Sequence, residues 1–264
     1  MFSVTRPLKH IASAALAALC VFTLPAMASE VTGTVLGVDL PVVGARVSLW
    51  RSAAGQSPAK LREVVSAADG RFTLRVDPSN AAAVHYVVTE GGRVNGQEAP
   101  ALKLMAVLPA VPPARITINE LTTVGSVWPN AQLLDGDKLR GTPVGLKIGR
   151  AQVPNLVDVG SGGFGRTVLD GSNLAQSETV GRMNTLVALV ALCGRHHQEA
   201  GCKEFLRLTN SSDTLDALQT LARQPWVNAP ALFELFSSSY PFPETAGRRK
   251  DAPVPYLQYA PEDF

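Results

Sequence analysis

A histidine pair beside a glutamate is the part of the sequence best suited to metal chemistry. His196, His197 and Glu199 include an H-x-x-E spacing, which can supply two ligands to a catalytic zinc ion. Such a site also needs a third ligand and an open position for water, but no histidine follows His197. A structural metal held by Cys193, one of the two histidines and Cys202 is the alternative, although a disulfide would compete for the same sulfurs. We expect no catalytic residue, no bound metal and no other cofactor.

Three further motifs lack the context that their chemistry requires. Residues 160–165 read G-x-G-x-x-G, but an Asp-Gly pair at 170–171 comes too soon for the long helix of a dinucleotide site, so we predict a flexible loop. Residues 57–60 read S-x-x-K, but no companion S-D-N or K-T-G motif occurs in the sequence. Residues 135–137 offer too few oxygen ligands at calcium spacing and are predicted to form a turn.

The first 28 residues have the organisation of a secretory signal peptide. A positive segment with Arg6 and Lys9 precedes an apolar run that ends near Pro25, and small residues occupy positions 26 and 28. The run is shorter than the roughly 20 residues of a membrane-spanning helix. We predict cleavage after Ala28, no transmembrane segment in the mature chain, and a periplasmic or secreted protein.

Composition and charge exclude other classes of protein. With 46% hydrophobic and 17% charged residues, the chain can build a packed core and does not resemble a disordered protein. Lys+Arg number 24 and Asp+Glu 22, and the two excess positive charges, Arg6 and Lys9, lie in the acid-free first 28 residues. The remaining charges balance, so we predict no nucleic-acid partner.

Export determines the expectation for the cysteines. Of the three cysteines, Cys20 would leave with the signal peptide, whereas Cys193 and Cys202 would reach an oxidising compartment. The polar, glycine-bounded segment between them is typical of a loop between two helices. We predict a disulfide between Cys193 and Cys202, which by the loop-entropy relation would stabilise the folded state by roughly 2–3 kcal/mol.

Residues 30 to about 119 are predicted to be rich in β-strands. Phe72, Leu74 and Val76 alternate with polar residues, and this period of two places one face of a strand in the core. Asp69-Gly70 separates two strand candidates and predicts a hairpin, because a type I′ turn requires positive φ. The predicted strands are 31–38, 46–51, 61–66, 71–77, 84–89, 102–108 and 115–119. Seven short strands favour a small β-sandwich.

Three segments of this half share a recognisable pattern. They are Gly33-Thr34-Val35, the segment PVVGARVSL at 41–49 and the segment ADGRFTL at 68–74. Together they resemble the carboxypeptidase regulatory-like module over about residues 30–91, although Ser66-Ala67 stand where that family more usually has Thr-Asp. The resemblance implies a transthyretin-like β-sandwich with an accessory folding or binding role. Gly44 would permit a tight bend before a buried strand, and Phe72 would anchor the core.

After residue 119 the periodicity becomes helical. Helices are predicted at 120–134, with Pro129 as a kink or break, and at 174–192, 203–208, 213–223 and 229–236. Asn119, Ser212 and Asn228 are the predicted N-caps, whereas residues 141–171 are glycine-rich and predicted to be irregular. The chain is thus expected to be a segregated α+β protein. Its expected parts are a signal peptide at 1–28, a seven-stranded transthyretin-like β-sandwich at 29–119, a small helical bundle at 120–239 and an extended tail at 240–264.

The helical half carries a weaker resemblance. Residues 118–124, 153–158 and 183–186 are similar to the helical segment that precedes NHL-type β-propellers in large bacterial exported proteins. No propeller sequence follows here, so the lyase-type activity of some propeller proteins is not carried over.

The tail is rich in proline and aromatic residues and should be extended. It is interpreted either as a strap over the helices or as a docking strip for a partner. The anchors of such a strip would be Tyr240, Phe242, Tyr256, Tyr259 and Phe264.

These features predict an exported, non-catalytic binding or interaction protein of the bacterial cell envelope, with an unidentified envelope protein or polysaccharide as its partner. One alternative is an envelope hydrolase with its site near residues 155–171 or in the inter-domain cleft. A cleft that gathers Asp158, Asp170, Glu178 and a histidine would favour the hydrolase. Another alternative is a structural stub or partner subunit related to the propeller-containing exported proteins.

Overall fold

Strands and helices both contribute to the fold, which is of the α+β class. The computed structural model describes residues 29–76, 83–176, 178–195 and 199–239. The predicted signal peptide at 1–28 and the predicted tail at 240–264 lie outside these ranges.

Within these ranges, ten strands come before residue 119, and four very short ones follow in two-stranded ribbons. The first ten are β1 (Ser29–Gly37), β2 (Leu40–Val43), β3 (Arg46–Ser52), β4 (Ala59–Val65), β5 (Arg71–Val76), β6 (Val84–Glu90), β7 (Arg93–Val94), β8 (Gln97–Glu98), β9 (Lys103–Val107) and β10 (Arg115–Ile118). The ribbons consist of β11 (Leu134–Asp135) with β12 (Lys138–Leu139), and β13 (Val157–Asp158) with β14 (Gly163–Phe164).

The first ten strands form two sheets. In the first sheet, β1 pairs antiparallel with β2 and β5 and parallel with β10, which gives the order β10-β1-β2-β7-β8 with β5 as a further partner of β1. The second sheet is antiparallel, in the order β4-β3-β6-β9. All residues of β6 except Glu90 are buried, so both faces of this strand are covered.

Each of the seven predicted strands is present, with ends that differ from the prediction by at most two residues. β2, β7 and β8 are additional, so the count of seven is not reproduced. These strands have two to four residues, which is too short for a period-two signal. The alternation in β5 is confirmed, because Phe72, Leu74 and Val76 are buried and the residues between them are exposed.

The predicted hairpin at Asp69-Gly70 is wrong, although a turn is present there. Gly70 has φ of +74°, and its N–H donates to the carbonyl of Ala67 at 2.9 Å. However, β4 pairs with β3 and β5 pairs with β1, so the flanking strands belong to different sheets. The turn residues determine the local backbone, whereas the pairing partner depends on which apolar faces become buried together.

The helices follow β10 in the chain. They are α1 (Glu120–Val127), α2 (Pro143–Leu156), α3 (Gly171–Gln176), α4 (Thr179–Ala191), α5 (Glu199–Thr209), α6 (Thr214–Arg223) and α7 (Ala229–Ser239). The predicted helix 174–192 therefore corresponds to α3 and α4, and the predicted helix 203–208 is the longer α5. No helix in the described ranges combines the length and apolar character needed to cross a membrane.

Helix α2 corrects the prediction that residues 141–171 are irregular. Thr142 is its N-cap and accepts a hydrogen bond from the N–H of Gly145 at 3.1 Å. Pro143 occupies the first helical position, where an N–H is not required, and Pro154 lies in the last turn. The glycine content concealed a buried helical face, which consists of Leu146, Gly149 and Val153.

Two other helix boundaries differ from the prediction. The predicted break at Pro129 is present, because helix α1 stops at Val127 and a 3-10 turn, Trp128–Asn130, follows where Pro129 cannot donate a backbone hydrogen bond. The predicted α-helix does not continue to residue 134. Helix α6 is capped by Asp213 instead of Ser212, through a 2.9 Å bond from the N–H of Asp216 to Asp213 Oδ1.

Besides Ser212, which Asp213 replaces, the predicted N-caps were Asn119 and Asn228. Asn119 is confirmed, because its side chain accepts from the N–H of Thr122 at 2.8 Å and Thr122 Oγ1 accepts from the N–H of Asn119 at 2.9 Å. Asn228 has φ of +49°, and its side-chain amide donates to the carbonyl of Leu208 at 2.6 Å. Its amide group therefore ties the start of α7 to the end of α5.

Helix α1 covers the outer edge of the second sheet. The N–H groups of Met105 and Val107 on β9 donate to the hydroxyls of Thr123 and Ser126, at 3.0 and 2.9 Å. An open sheet edge would leave these donors without partners, so α1 replaces a missing strand.

Helix α6 continues this cover at the start of β9. The N–H of Lys103 donates to Thr214 Oγ1 at 2.9 Å, and Thr214 Oγ1 donates to the Lys103 carbonyl at 2.7 Å. The Lys103 ammonium pairs with Asp213 at 2.7 Å, in a largely shielded position. Sheets and helices therefore share one hydrophobic core.

Candidate functional site

A glycine-rich hairpin formed by β13 and β14 separates two concave surfaces. Asp158 organises its turn, because Oδ1 accepts from the N–H of Gly160, Oδ2 accepts from Ser161 Oγ and the carbonyl accepts from the N–H of Gly162, at 2.9, 2.9 and 2.8 Å. The bond from Gly160 and the bond from Ser161 lower the pKa of Asp158. The segment predicted to be a flexible loop is therefore a hydrogen-bonded turn, without the long helix of a dinucleotide site.

The hairpin is attached to the end of β10 and the start of α1. The N–H of Thr117 donates to the carbonyl of Val159 at 2.8 Å, and Thr117 Oγ1 donates to the Gly160 carbonyl at 3.3 Å. The amide of Asn119 donates to the Gly162 carbonyl at 3.0 Å. Gly162 has φ of +78°, and a Cβ there would lie 2.6 Å from Thr117 Cγ2, so a larger residue would separate the two elements.

On one side of the hairpin lies a cleft of about 530 Å³, which we call the apolar cleft. Its other walls are the proline-rich segment after β9 and the end of α2. Aliphatic side chains and prolines dominate the lining, and Asp158 and Arg166 contribute opposite charges. The lining residues are Val107, Pro109, Val111, Pro113, Val153, Pro154, Asn155, Val157, Asp158, Val159, Phe164, Gly165, Arg166 and Thr167. Such a surface can hold an apolar chain and orient it by a few polar contacts.

On the other side lies a groove of about 420 Å³, which we call the arginine groove. It runs over the outer face of β5, β1 and β10. Its lining residues are Thr32, Gly33, Thr34, Arg71, Arg115, Thr117 and Gly160. The two arginines make this surface positive, although the charges of the chain after residue 28 balance.

The predicted disulfide between Cys193 and Cys202 is confirmed. The S–S distance is 2.00 Å and the Cα atoms lie 4.7 Å apart. Since the sulfurs bond to each other, they are not metal ligands in this structure. A smaller pocket of about 180 Å³ lies beside the disulfide, with Arg195 and Lys203 in its lining.

Glu120 is a buried acid outside both concave surfaces. It is the first residue of α1, it is 5% exposed, and its Oε1 accepts from the N–H of Val38 at 2.8 Å. Its pKa is raised to about 7, chiefly by burial and also by the charge of Asp39, while its backbone hydrogen bonds and Arg195 act in the opposite direction. Val38 and Asp39 have φ of 54° and 61°, so a strained turn brings this N–H to the carboxyl group.

The set of groups that would favour a hydrolase does not converge in the apolar cleft. Asp158 lines the cleft, but Asp170 accepts from the N–H of Ser172 at 3.0 Å, and Glu178 lies 3.7 Å from Arg182. Asp170 and Glu178 are not lining residues, and no histidine is among the residues described as lining the cleft.

The other motifs have structural surroundings of their own. Lys60 of the S-x-x-K sequence pairs with Glu63 at 2.7 Å and lies over the ring of Trp50. The predicted turn at 135–137 is confirmed between β11 and β12, where Gly136 has φ of +58°. Within the described ranges, no group of three or more His, Cys, Asp or Glu side chains could hold a metal.

Several predicted residues lie outside the described ranges. His196 and His197 of the H-x-x-E sequence are among them, whereas Glu199 begins α5. The proposed anchors of the tail are also outside the described ranges: Tyr240, Phe242, Tyr256, Tyr259 and Phe264.

Sequence reasoning did not identify the arginine groove. The alternation in β5 predicted that Arg71 lies on the solvent-exposed face of the strand. Arg115 comes to lie on the same face of the sheet only because β10 pairs with β1. The runs of Thr and Arg at alternate positions were the available signal, and they are also typical of an ordinary exposed strand face.

Comparisons with known proteins give little further information. No protein-family model matches the chain, and no curated protein matches it. Among solved structures, a crystal structure of a 9R-lipoxygenase from Cyanothece PCC8801 is similar at 11% identity and a TM-score of 0.23. The match covers 76% of this chain and 29% of the lipoxygenase chain, so the chain spans less than a third of that protein. A likeness this low supports neither a fold nor an activity.

Proposed function

We propose that the chain is an exported, non-catalytic binding protein of the bacterial cell envelope, and that the apolar cleft holds an extended segment of a partner protein. The observation that carries the proposal is the cleft itself, about 530 Å³ with walls of valine and proline. Apolar side chains of a polypeptide gain free energy when such walls remove them from water.

The rim of the cleft supports a polypeptide over other apolar ligands. Asp158 and Arg166 offer an anion and a cation, which can orient a peptide that carries both charges. Val111 lines the cleft and is 84% exposed, and a bound segment would cover it. The tail anchors at Tyr240, Phe242, Tyr256, Tyr259 and Phe264 would form a second docking strip for the same partner.

Export is supported from two directions. The first 28 residues have signal-peptide organisation, and the disulfide between Cys193 and Cys202 suits an oxidising compartment. A periplasmic or secreted location, with cleavage after Ala28, is accordingly part of the proposal.

We assign the β-rich half, residues 29–119, to a transthyretin-like β-sandwich of the carboxypeptidase regulatory-like type, with the helices of 120–239 as a second unit. Two features support this assignment: Gly44 has φ of +74° before the buried β3, and the buried Phe72 ring lies against Gly33. In this assignment the sandwich is an accessory module, and ligand contacts come from the surfaces around the hairpin.

An envelope hydrolase is the second candidate, because the apolar cleft lies in the region 155–171. The cleft lining includes Thr167 but no serine or cysteine among the residues described there. The hydrogen bonds that Asp158 accepts lower its pKa, whereas a general base is most efficient with a pKa near the operating pH. These observations favour binding over turnover.

Site-specific photo-crosslinking in the producing cell tests the proposal. A photoreactive residue replaces Val111, at the cleft, or Val65, which is 62% exposed on β4 and does not line the cleft. We expect crosslinked products from position 111 and none from position 65, and we expect protease to digest the attached partner.

Two results would contradict this proposal. One is the absence of a product at position 111, or equal products at both positions. The other is a purified protein that turns over chromogenic ester or peptide substrates and loses this activity in Val111→Asp, which would favour the hydrolase.

A further inference from the structure

The arginine groove combines charge and shape on an exposed sheet face. Its described lining holds two arginines, three threonines and two glycines, with no carboxylate side chain. A concave polar surface of this composition can hold an anionic ligand that also forms hydrogen bonds.

The strand register brings the polar side chains together. Thr34 of the central β1 lies opposite Arg71 of β5 and opposite Thr117 of β10, and Thr32 lies opposite Arg115. Residues directly opposite each other share a face of the sheet, and neighbouring strands are about 4.8 Å apart. The arginines therefore flank β1 from its two sides and are staggered by two residues along it, roughly 12 Å apart at the backbone. Because an arginine side chain is long, a single sugar-sized ligand between them can contact both guanidinium groups.

Both guanidinium groups have donors to offer. Arg71 makes a long contact of 3.5 Å with Asp69, and the two side chains are 77% and 58% exposed. Exposed pairs of this kind contribute little free energy and exchange readily. Arg115 forms no ion pair with any residue of the described ranges. Guanidinium groups bind carboxylate, sulfate and phosphate oxygens in a bidentate manner.

The threonine hydroxyls specify what surrounds the anion. Thr32 Oγ1 donates its proton to the carbonyl of Ala114 at 3.2 Å, and Thr117 Oγ1 donates to the carbonyl of Gly160 at 3.3 Å. A hydroxyl has one proton and two lone pairs, so these oxygens are left to accept. A complementary ligand would therefore present hydrogen-bond donors, such as the hydroxyls of a sugar, next to its oxyanion.

We propose that the arginine groove binds an acidic sugar unit, with the oxyanion between Arg71 and Arg115 and the sugar hydroxyls on Thr32 and Thr117. This inference rests on the proposed role as an envelope binding protein and adds an anionic polysaccharide to its ligands. The hairpin would then separate a protein ligand in the apolar cleft from a polysaccharide ligand in the arginine groove.

Calorimetric titration of the purified protein tests the assignment with three probes: trigalacturonate, the neutral galactose trisaccharide and inorganic phosphate. We expect trigalacturonate to bind most tightly and the neutral sugar weakly. Arg71→Ala and Arg115→Ala should each weaken trigalacturonate binding about tenfold or more, because a charge-assisted contact is lost. Thr32→Val should weaken trigalacturonate binding and leave phosphate binding unchanged. Arg75→Ala is the matched control, since Arg75 lies on β5 opposite Glu30 and outside the groove lining.

Each contrary result has a defined meaning. If phosphate binds as tightly as trigalacturonate, the groove is a simple anion site and the sugar assignment is overturned. An equal loss of trigalacturonate affinity in Arg75→Ala and Arg115→Ala would show a general charge effect and overturn the site. The absence of binding by all three probes would overturn it as well. Crosslinking at position 111 is independent of these arginines, so failure here is distinguishable from failure of the proposed function. Far-UV circular dichroism verifies that each exposed-residue variant is folded.

Discussion

Replacing Glu120 by a neutral residue should make the free energy of unfolding less sensitive to pH. The carboxyl group is buried, and its ordinary pKa of 4.5 is raised to about 7, chiefly because burial disfavours the charged form. The folded protein therefore holds a proton on Glu120 in a pH range in which the unfolded chain has released it.

The size and sign of the effect follow from this difference. Between pH 4.5 and 7 the folded state binds more protons at Glu120 than the unfolded state does, so the free energy of unfolding falls as pH rises. The stabilisation that protonated Glu120 gives the folded state is fully present below about pH 4.5 and is lost as pH rises through about 7. With 1.36 kcal/mol per pKa unit, the loss amounts to about 3 kcal/mol.

The variant Glu120→Gln tests this reasoning. Glutamine keeps an oxygen that can accept from the N–H of Val38 but carries no charge at any pH. The variant's free energy of unfolding minus that of the parent protein should increase by about 3 kcal/mol from pH 4.5 to pH 8. Urea unfolding at several pH values, followed by tryptophan fluorescence, measures this difference.

Glu234→Gln on the exposed side of α7 is the matched control for the chemical change. A difference between Glu120→Gln and the parent protein that stays constant from pH 4.5 to pH 8 would refute the reasoning. A difference that decreases with rising pH would also refute it, because it would show that the folded state favours the charged form of Glu120.

Two further stability changes are expected. The double variant Cys193→Ser/Cys202→Ser should lower the free energy of unfolding by roughly 2–3 kcal/mol, because the disulfide closes a short loop. Urea unfolding with and without reductant measures this change, and an unchanged unfolding midpoint would contradict the prediction. Gly33→Ala should cost about 2 kcal/mol in the same assay, because the new Cβ would lie 2.6 Å from Cε1 of the buried Phe72 ring. Adding Phe72→Leu should recover part of the loss from Gly33→Ala, and strict additivity of the two changes would exclude this overlap.

Local patterns were sufficient where the physical cause is local. The alternation of Phe72, Leu74 and Val76 predicted β5, and the oxygen of Asn119 predicted the start of α1. The disulfide between Cys193 and Cys202 followed from the expected compartment and from a pair of cysteines near in sequence. In each case the interaction joins residues close in the chain or depends on one face of one element.

Helix α2 shows where local patterns fail. Its glycines and Pro154 lower helix propensity, so the segment was predicted to be irregular. Gly149 nevertheless lies on the buried face, where a Cβ would be 3.0 Å from Cγ of Asn130. The close approach of α2 to Asn130 accounts for this glycine, and an approach between separate elements leaves no periodic signal in the sequence.

By itself, the sequence determined which residues of each strand and helix prefer water, where most elements begin and end, and which cysteines can pair. It did not determine partners. Only the tertiary structure decided that β4 and β5 separate at Asp69-Gly70, and that Thr32 and Ala114, 82 positions apart, meet where β1 and β10 pair in parallel. The reason is that a strand's hydrogen-bonding edges accept any partner, so the choice is made by burial of all apolar faces at once, and this choice also assembles the arginine groove.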